Sequence, residues 1–349
     1  MDFNKVQGLL EEWGEPRYRG SQVYRAATRQ LEFDYRELTD LPLGLRSRLA
    51  EAEPMLELER HELQTAADGT LKARFETRDG FPVEAVAMRH RNRRTVCVSS
   101  QSGCPLACTF CATGSMGLGR NLRAGEIAEQ VLVMARLLRD QDEKVQNVVM
   151  MGMGEPFLNY DAVLAACRTI NDPDGFGLGA RQIAISTAGW IPGIDRLAEE
   201  QLQVKLALSL HAPTDRLRET LMPVNRRYPL ADLMAACRRY REKTSRRIFV
   251  EYLLLDGVND SNREAEQLAG LLGGGGFHVN LIAYNPTGAG YTASPPERVA
   301  AFAQALAVRG VKASYRRSHG GDIAAACGQL AVEGAREQRR KRRRLLHAG

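Results

Sequence analysis

The chain has 349 residues, 44% of them hydrophobic and 26% charged, which is enough apolar material for one large domain with an appendage. No apolar run approaches the roughly 18–20 residues of a membrane span. The opening 1-MDFNKVQGLLEEWGEP is acidic and amphipathic rather than basic and then apolar, so a cytoplasmic protein with no membrane partner is expected.

The formal charge of +6 equals that of the segment 336-REQRRKRRR-344 taken alone. The rest of the chain is therefore nearly neutral, and the basic character is local, with a second focus at 89-RHRNRR-94. Such patches are either solvated surface or contacts to a phosphate-rich partner.

In chain order, residues 1–90 read as a small accessory unit. Helices are expected near 4–13, 20–31 and 43–52, followed by the alternation of 69-GTLKARFETRDGFPVEAVAM, where Asp79-Gly80 marks the turn of a hairpin. Residues 91–330 form the main unit, and 331–349 a basic tail. Candidate strands are 95-TVCVSS, 147-NVVMMG, 182-QIAIST, 204-VKLALSL, 247-RIFVEYLLL and 278-HVNLIAY. Between them run helical stripes, the clearest being 125-GEIAEQVLVMARLLRD, with others near 160–170, 230–242, 261–272 and 295–309, and 273-GGGG serves as a loop.

Strands alternating with helices imply an α/β fold around a parallel sheet, as an open doubly wound sheet or as a closed or partly closed barrel; periodicity does not separate these. In either case function gathers at the carboxyl ends of the strands. Polar residues do collect there: Glu155, Ser186, Thr187, Ser209, His211 and Asn285. Singly, each could be turn or cap chemistry.

Seven cysteines are too few for a disulfide scaffold, and an odd count fits a reducing compartment. Cys167 and Cys237 lie on helical stripes among apolar neighbours and read as core. Cys104, Cys108 and Cys111 stand within 104-CPLACTFC-111. Structural zinc usually wants four ligands, commonly two Cys-x-x-Cys pairs, and no second pair follows at a suitable spacing. Three cysteines on the loop after the first strand can instead bind three irons of a 4Fe-4S cluster and leave the fourth open.

The spacing CxxxCxxC, with Phe110 before the last cysteine, resembles the signature of the radical S-adenosylmethionine enzymes, whose open iron chelates the cofactor's amino and carboxylate groups. That resemblance implies rim roles. Gly154 allows close backbone approach and Glu155 meets the cofactor's ammonium, while Ser186, Ser209, Leu210, His211 and Asn285 bind its carboxylate, ribose and adenine edges. No GK[ST] follows the glycines of 151-MGMGEP, so a phosphate-binding P-loop is excluded.

Over nearly its whole length the chain resembles the RlmN/Cfr family of RNA adenosine methyltransferases. The segments that carry this are 97-CVSSQSGC, 108-CTFCATG, 120-RNL, 125-GEI, 152-GMGEP, 185-ISTAG, 208-LSLHA, 222-MPVN, 284-YNP and 322-DIAAACGQL. The resemblance implies a partial (β/α)6 barrel of TIM type with an N-terminal RNA-binding helical module. It also implies methylation of an adenine ring carbon in 23S rRNA and, in the RlmN branch, in tRNA beside the anticodon, with electrons from a donor such as flavodoxin or ferredoxin. A monomer is expected.

The family's mechanism assigns the remaining cysteines. Cys327 is methylated on sulfur and its methyl carbon, once activated, joins the adenine; Glu84 accepts the ring proton; Cys97 resolves the adduct through a transient disulfide with Cys327. The sequence departs from the family's pattern at Ser115, where a Lys is frequent, and in 316-RRSHGGDI, which carries His319 and Gly321. Met116 and the general run favour the C2 branch. The alternatives are a C8 methyltransferase of the Cfr type, which would use the same cysteines, and a non-catalytic RNA-binding protein with structural zinc.

Overall fold

The computed structural model describes residues 1–90, 93–273, 275–316 and 318–330. The basic tail 331–349, and Arg91 and Asn92 of the second basic focus, lie outside the described residues.

The N-terminal module consists of α1 (Phe3–Glu12), α2 (Tyr18–Arg25), which runs on into a π-helical turn at Ala26–Gln30, and α3 (Leu43–Ala52). The amphipathic spacing seen in the sequence has a local purpose. Val6, Leu10, Val23, Leu45 and Leu49 meet in a core of their own, separate from that of the main sheet.

Next come β1 (Leu58–Thr65), β2 (Leu71–Thr77) and β3 (Pro82–His90), paired antiparallel in that order. The Asp79-Gly80 turn joins β2 to β3, with Gly80 at φ 77°. In β1 the segment 58-LERHELQT lacks alternation because it is an edge strand, charged and largely exposed, with a register shift between Arg60 and Glu62. On its other side β3 pairs with β4 (Arg93–Cys97), so the hairpin continues into the main sheet.

After β4 a two-stranded ribbon, β5 (Gln101–Gly103) and β6 (Leu118–Asn121), brackets the cysteine loop and the short α4 (Ala112–Met116). The remaining elements alternate: α5 (Ala124–Arg139), β7 (Asn147–Met150), α6 (Tyr160–Asn171), β8 (Ile183–Thr187), α7 (Ile191–Glu199), β9 (Lys205–Ser209) and α8 (Asp215–Leu221). They continue through α9 (Leu230–Thr244), β10 (Ile248–Leu254), α10 (Asn262–Leu272), β11 (Phe277–Ala283), α11 (Pro296–Val308) and β12 (Ala313–Arg316). All six expected strands are present. The short α7 and α8 and the exposed four-residue β12 were not anticipated, because each is too brief to display a period.

The sheet order is β1-β2-β3-β4-β7-β8-β9-β10-β11-β12, parallel from β4 onward. This order resolves the ambiguity of the sequence. A doubly wound sheet reverses its strand order at a switch point, whereas here the order only advances. Right-handed crossovers then put α5, α6, α7, α9, α10 and α11 on one face and curl the sheet into a partial barrel. Along β10 the alternation shows both faces: Ile248, Val250, Tyr252 and Leu254 join the helix-covered core, while Phe249, Glu251 and Leu253 point the other way, into the concave side.

Candidate active site

The loop bearing Cys104, Cys108 and Cys111 leaves the carboxyl end of the first parallel strand and is fixed by its backbone. Cys104 N donates to Gly117 O at 3.1 Å, Thr109 N to Leu221 O at 2.9 Å and Ala112 N to Gly328 O at 2.8 Å. Ala107, just before Cys108, holds φ 52°, a costly value for a residue with a Cβ. The walls are apolar, with Phe110, Leu221, Met222, Leu253 and Tyr284 packed about Cys108 and Cys111.

Burial pushes the Cys104 thiol up to about 12, with Cys111 and Glu155 adding to the effect. It pushes Cys108 well above the usual thiol range, where Cys111 and Cys104 add and Arg218 opposes. Three sulfur donors on one short loop, walled by apolar side chains, fit an iron-sulfur cluster, whose irons would hold them as thiolates. Among the described residues no three His, Cys, Asp or Glu are gathered to chelate one metal ion. A cubane needs no such convergence, since each thiolate takes a different iron.

The rim residues line up at strand ends. Glu155 follows β7, buried, with Oε1 accepting from Phe157 N at 3.1 Å and Oε2 from Ala188 N at 2.7 Å. Burial lifts its carboxyl to about 7, against these hydrogen bonds, which favour the anion. Gly154 stands at φ 98°, and a Cβ there would lie 2.6 Å from Gln101 Cβ. The space that a Cβ would take is filled by Gln101, whose Oε1 in turn accepts from Glu155 N at 2.9 Å.

Ser186 Oγ and Ser209 Oγ face each other across β8 and β9 at 3.3 Å. Leu210 has both backbone groups engaged, N on Glu251 O and O on Arg218 Nε. His211 is buried in a left-handed conformation (φ 56°), its Nδ1 accepting from Leu253 N at 2.9 Å and its ring edge-on to Phe110. Burial, then Arg218, push its pKa down to about 3, so it is a neutral ring with Nε2–H left as donor. Asn285 lies beyond β11, buried, with Nδ2 donating to Ala283 O at 3.4 Å.

A second focus lies on the concave side of β3 and β4. Cys97 pairs in register with Val86 and packs with Met116, Met153, Ala325 and Leu330, and so against the segment that carries Cys327. Its thiol is pushed up first by burial and then by Cys327. Both cysteines are free thiols. Cys327 is exposed to solvent, yet its thiol is also raised, by the surrounding walls and then by Glu251, with Arg316 opposing. Its segment is clamped from both sides. Asp322 accepts from Ala67 N at 3.0 Å and Asp68 from Gly320 N at 3.2 Å, while Thr113 Oγ1 donates to Leu330 O. His319, one of the departures from the family pattern, meets Asp68 at 3.1 Å. Glu84 is buried on β3, with Oε1 3.4 Å from Lys72 Nζ.

Sequence reasoning missed Arg218. Fully buried on α8, it donates to the carbonyls of Ala188 (2.6 Å), Ser209 (3.3 Å) and Leu210 (3.1 Å) and to Asn225 Oδ1 (3.0 Å), tying together the loops after β8 and β9. The only hint was an arginine shortly before 222-MPVN.

Over residues 98–269 the chain matches the Radical SAM superfamily. A protein of Chloroflexus aurantiacus named a probable dual-specificity RNA methyltransferase RlmN is 49% identical over 345 residues, covering 95% of this chain and 92% of that one. One of the same name from Geobacillus kaustophilus is 45% identical over 336 residues, again with 95% and 92% covered. The crystal structure of a radical SAM methyltransferase from Sphaerobacter thermophilus superposes with a TM-score of 0.92 at 50% identity, covering 95% of this chain and 98% of that one.

Proposed function

This chain belongs to the RlmN/Cfr family of radical S-adenosylmethionine RNA methyltransferases, and we propose that it methylates C2 of an adenosine in 23S rRNA and of the adenosine beside the anticodon of tRNA. It is a methyltransferase that uses a 4Fe-4S cluster and S-adenosylmethionine. When bound, these groups supply a methyl for sulfur and an oxidant strong enough to remove a hydrogen atom from it.

The protein's own residues account for the rest. Cys104, Cys108 and Cys111 would ligate the cluster; Gly154, Glu155, Ser186, Ser209, Leu210, His211 and Asn285 would hold the cofactor on the rim. Cys327 sulfur presents the one-carbon unit to the ring, to which it becomes covalently joined. Glu84 accepts the proton lost from the ring carbon. Cys97 thiolate attacks Cys327 sulfur, forming an S–S bond as the C–S bond breaks and its electron pair passes to carbon, which takes up a proton to become the methyl group; an external thiol then reduces the disulfide.

The observation that carries this reading is the approach of the Cys327 segment to Cys97: Ala325 and Leu330, on either side of Cys327, pack with Cys97 in one cluster of side chains, and both cysteines are free thiols. The N-terminal helical module and the tail 331–349 would grip the RNA backbone, with a flavodoxin or ferredoxin as electron donor and a monomer acting in the cytoplasm. Among the described residues no helix is long and apolar enough to cross a membrane.

The test is anaerobic purification with iron and sulfide analysis, then turnover on an adenosine-containing RNA fragment and mass spectrometry of the digested product. The expected product is 2-methyladenosine. Appearance of 8-methyladenosine would move the protein to the Cfr type; zinc in place of iron, with no dependence on reductant, would end the radical reading.

A further inference from the structure

Glu251 has no role in the scheme above. Strand alternation puts it on the concave face of β10, and register aligns it with Ser209 on β9 and with Asn280 on β11, itself opposite Ser314 on β12. These four form one polar row across the barrel wall. Glu251 is 4% exposed and Asn280 2%. Asn280 Nδ2 donates to Glu251 Oε1 at 2.7 Å, and among the described residues no Lys or Arg forms an ion pair with the carboxyl. A buried carboxyl with a single neutral partner costs free energy, so its retention calls for a use. Its surroundings suggest one. The residues after Cys327, the sulfur proposed to deliver the methyl group, are tied across this end of the barrel: Gly328 O accepts from Ala112 N at 2.8 Å, and Gln329 Nε2 donates to Pro286 O at 3.0 Å just beyond β11, the strand that carries Asn280. The Glu251 charge acts on the Cys327 thiol.

We propose that Glu251, oriented by Asn280, reads the N1 and N6 edge of the target adenine while C2 of that ring lies at Cys327. Enzymes that alter a base take it out of its stack and read its Watson–Crick edge in the pocket. Adenine presents there an amino donor at N6 and an acceptor at N1, and C2 is bonded to N1. A protonated carboxyl offers the matching acceptor and donor side by side. Burial pushes Glu251 toward that form, with Arg316 and Asn280 opposing. The Asn280 contact fixes Oε1 as the accepting oxygen and leaves Oε2 to carry the proton. Guanine presents the reverse pattern at this edge and would be rejected. The inference rests on the proposal that the substrate is an adenosine in RNA.

It is tested with RNA oligomers whose target nucleotide is adenosine or purine riboside, which lacks the amino group. For each variant, kcat/KM and the equilibrium affinity for S-adenosylmethionine are measured. The unaltered enzyme should prefer adenosine by roughly ten- to a hundredfold. Glu251→Leu, similar in volume, should bring that ratio to about one, whereas Glu251→Gln, which keeps an acceptor and a donor, should hold it within about threefold. A merely structural role would lower both rates and leave their ratio alone. The inference is overturned if the ratio survives in Glu251→Leu, or if lost activity follows lost cofactor affinity with the ratio intact. If the unaltered enzyme methylates no adenosine RNA at all, the proposed function itself has failed and takes this inference with it.

Discussion

Gly103→Ala isolates the geometry that fixes the first cysteine of the loop. Gly103 stands at φ 78° immediately before Cys104, and a Cβ there would lie 1.9 Å from Gly117 O. That same carbonyl accepts the Cys104 N–H at 3.1 Å. The added methyl therefore cannot be accommodated by a rotamer change; the carbonyl that orients Cys104 has to move. The left-handed backbone costs about 1–2 kcal/mol for a residue with a Cβ, and a lost hydrogen bond about 1 kcal/mol. With the overlap, the total is on the order of 3 kcal/mol.

A protein stable by about 5–15 kcal/mol survives that loss. The variant should fold with a lower Tm, at about 2–4 °C per kcal/mol, but take up little iron on anaerobic reconstitution. Gly270→Ala is the control: it sits within α10 with nothing inside 4 Å of the new Cβ, and should match or slightly exceed the unaltered protein in stability. Iron content and Tm unchanged in Gly103→Ala would refute the reasoning.

Cys97→Ala should accumulate a protein–RNA adduct that persists in denaturing gels, and Cys327→Ala should give neither adduct nor methylated RNA; full turnover by Cys97→Ala without an adduct would remove its resolving role. For Glu155, raised from 4.5 to about 7 in the folded chain, the stabilising contribution is fully present below pH 4.5 and is lost as pH rises through 7. In denaturant unfolding of the cluster-free protein, Glu155→Gln should therefore remove a decline on the order of 3 kcal/mol between those limits; equal pH slopes in the two proteins would contradict it. Deleting 336–349 should weaken RNA binding and flatten its salt dependence, because fewer counterions are released. An unchanged salt slope would leave the tail a solvated surface.

Some features were legible because they are local. The six parallel strands, with their apolar and β-branched runs, and the longer helices between them show their periods within a dozen residues. The Asp79-Gly80 turn and the 104-CPLACTFC-111 spacing need only neighbours in sequence to declare their chemistry. The strand β1 was hidden because its edge position favours charge over alternation, and α7 and α8 because two turns are too short for a stripe.

Tertiary structure alone decided the rest. The advance of strand order without reversal selects a partial barrel over a doubly wound sheet, since crossover direction is a relation among strands that no single period encodes. Nothing local in the sequence singles out Arg218 or Glu251, yet folding buries both, one among carbonyls and the other beside Asn280. A sequence records which groups a chain owns. Which of them lose their water, and which then face each other, follows from long-range packing, and in this protein that packing sets Cys97 against the segment that carries Cys327 and buries Glu251 beside Asn280.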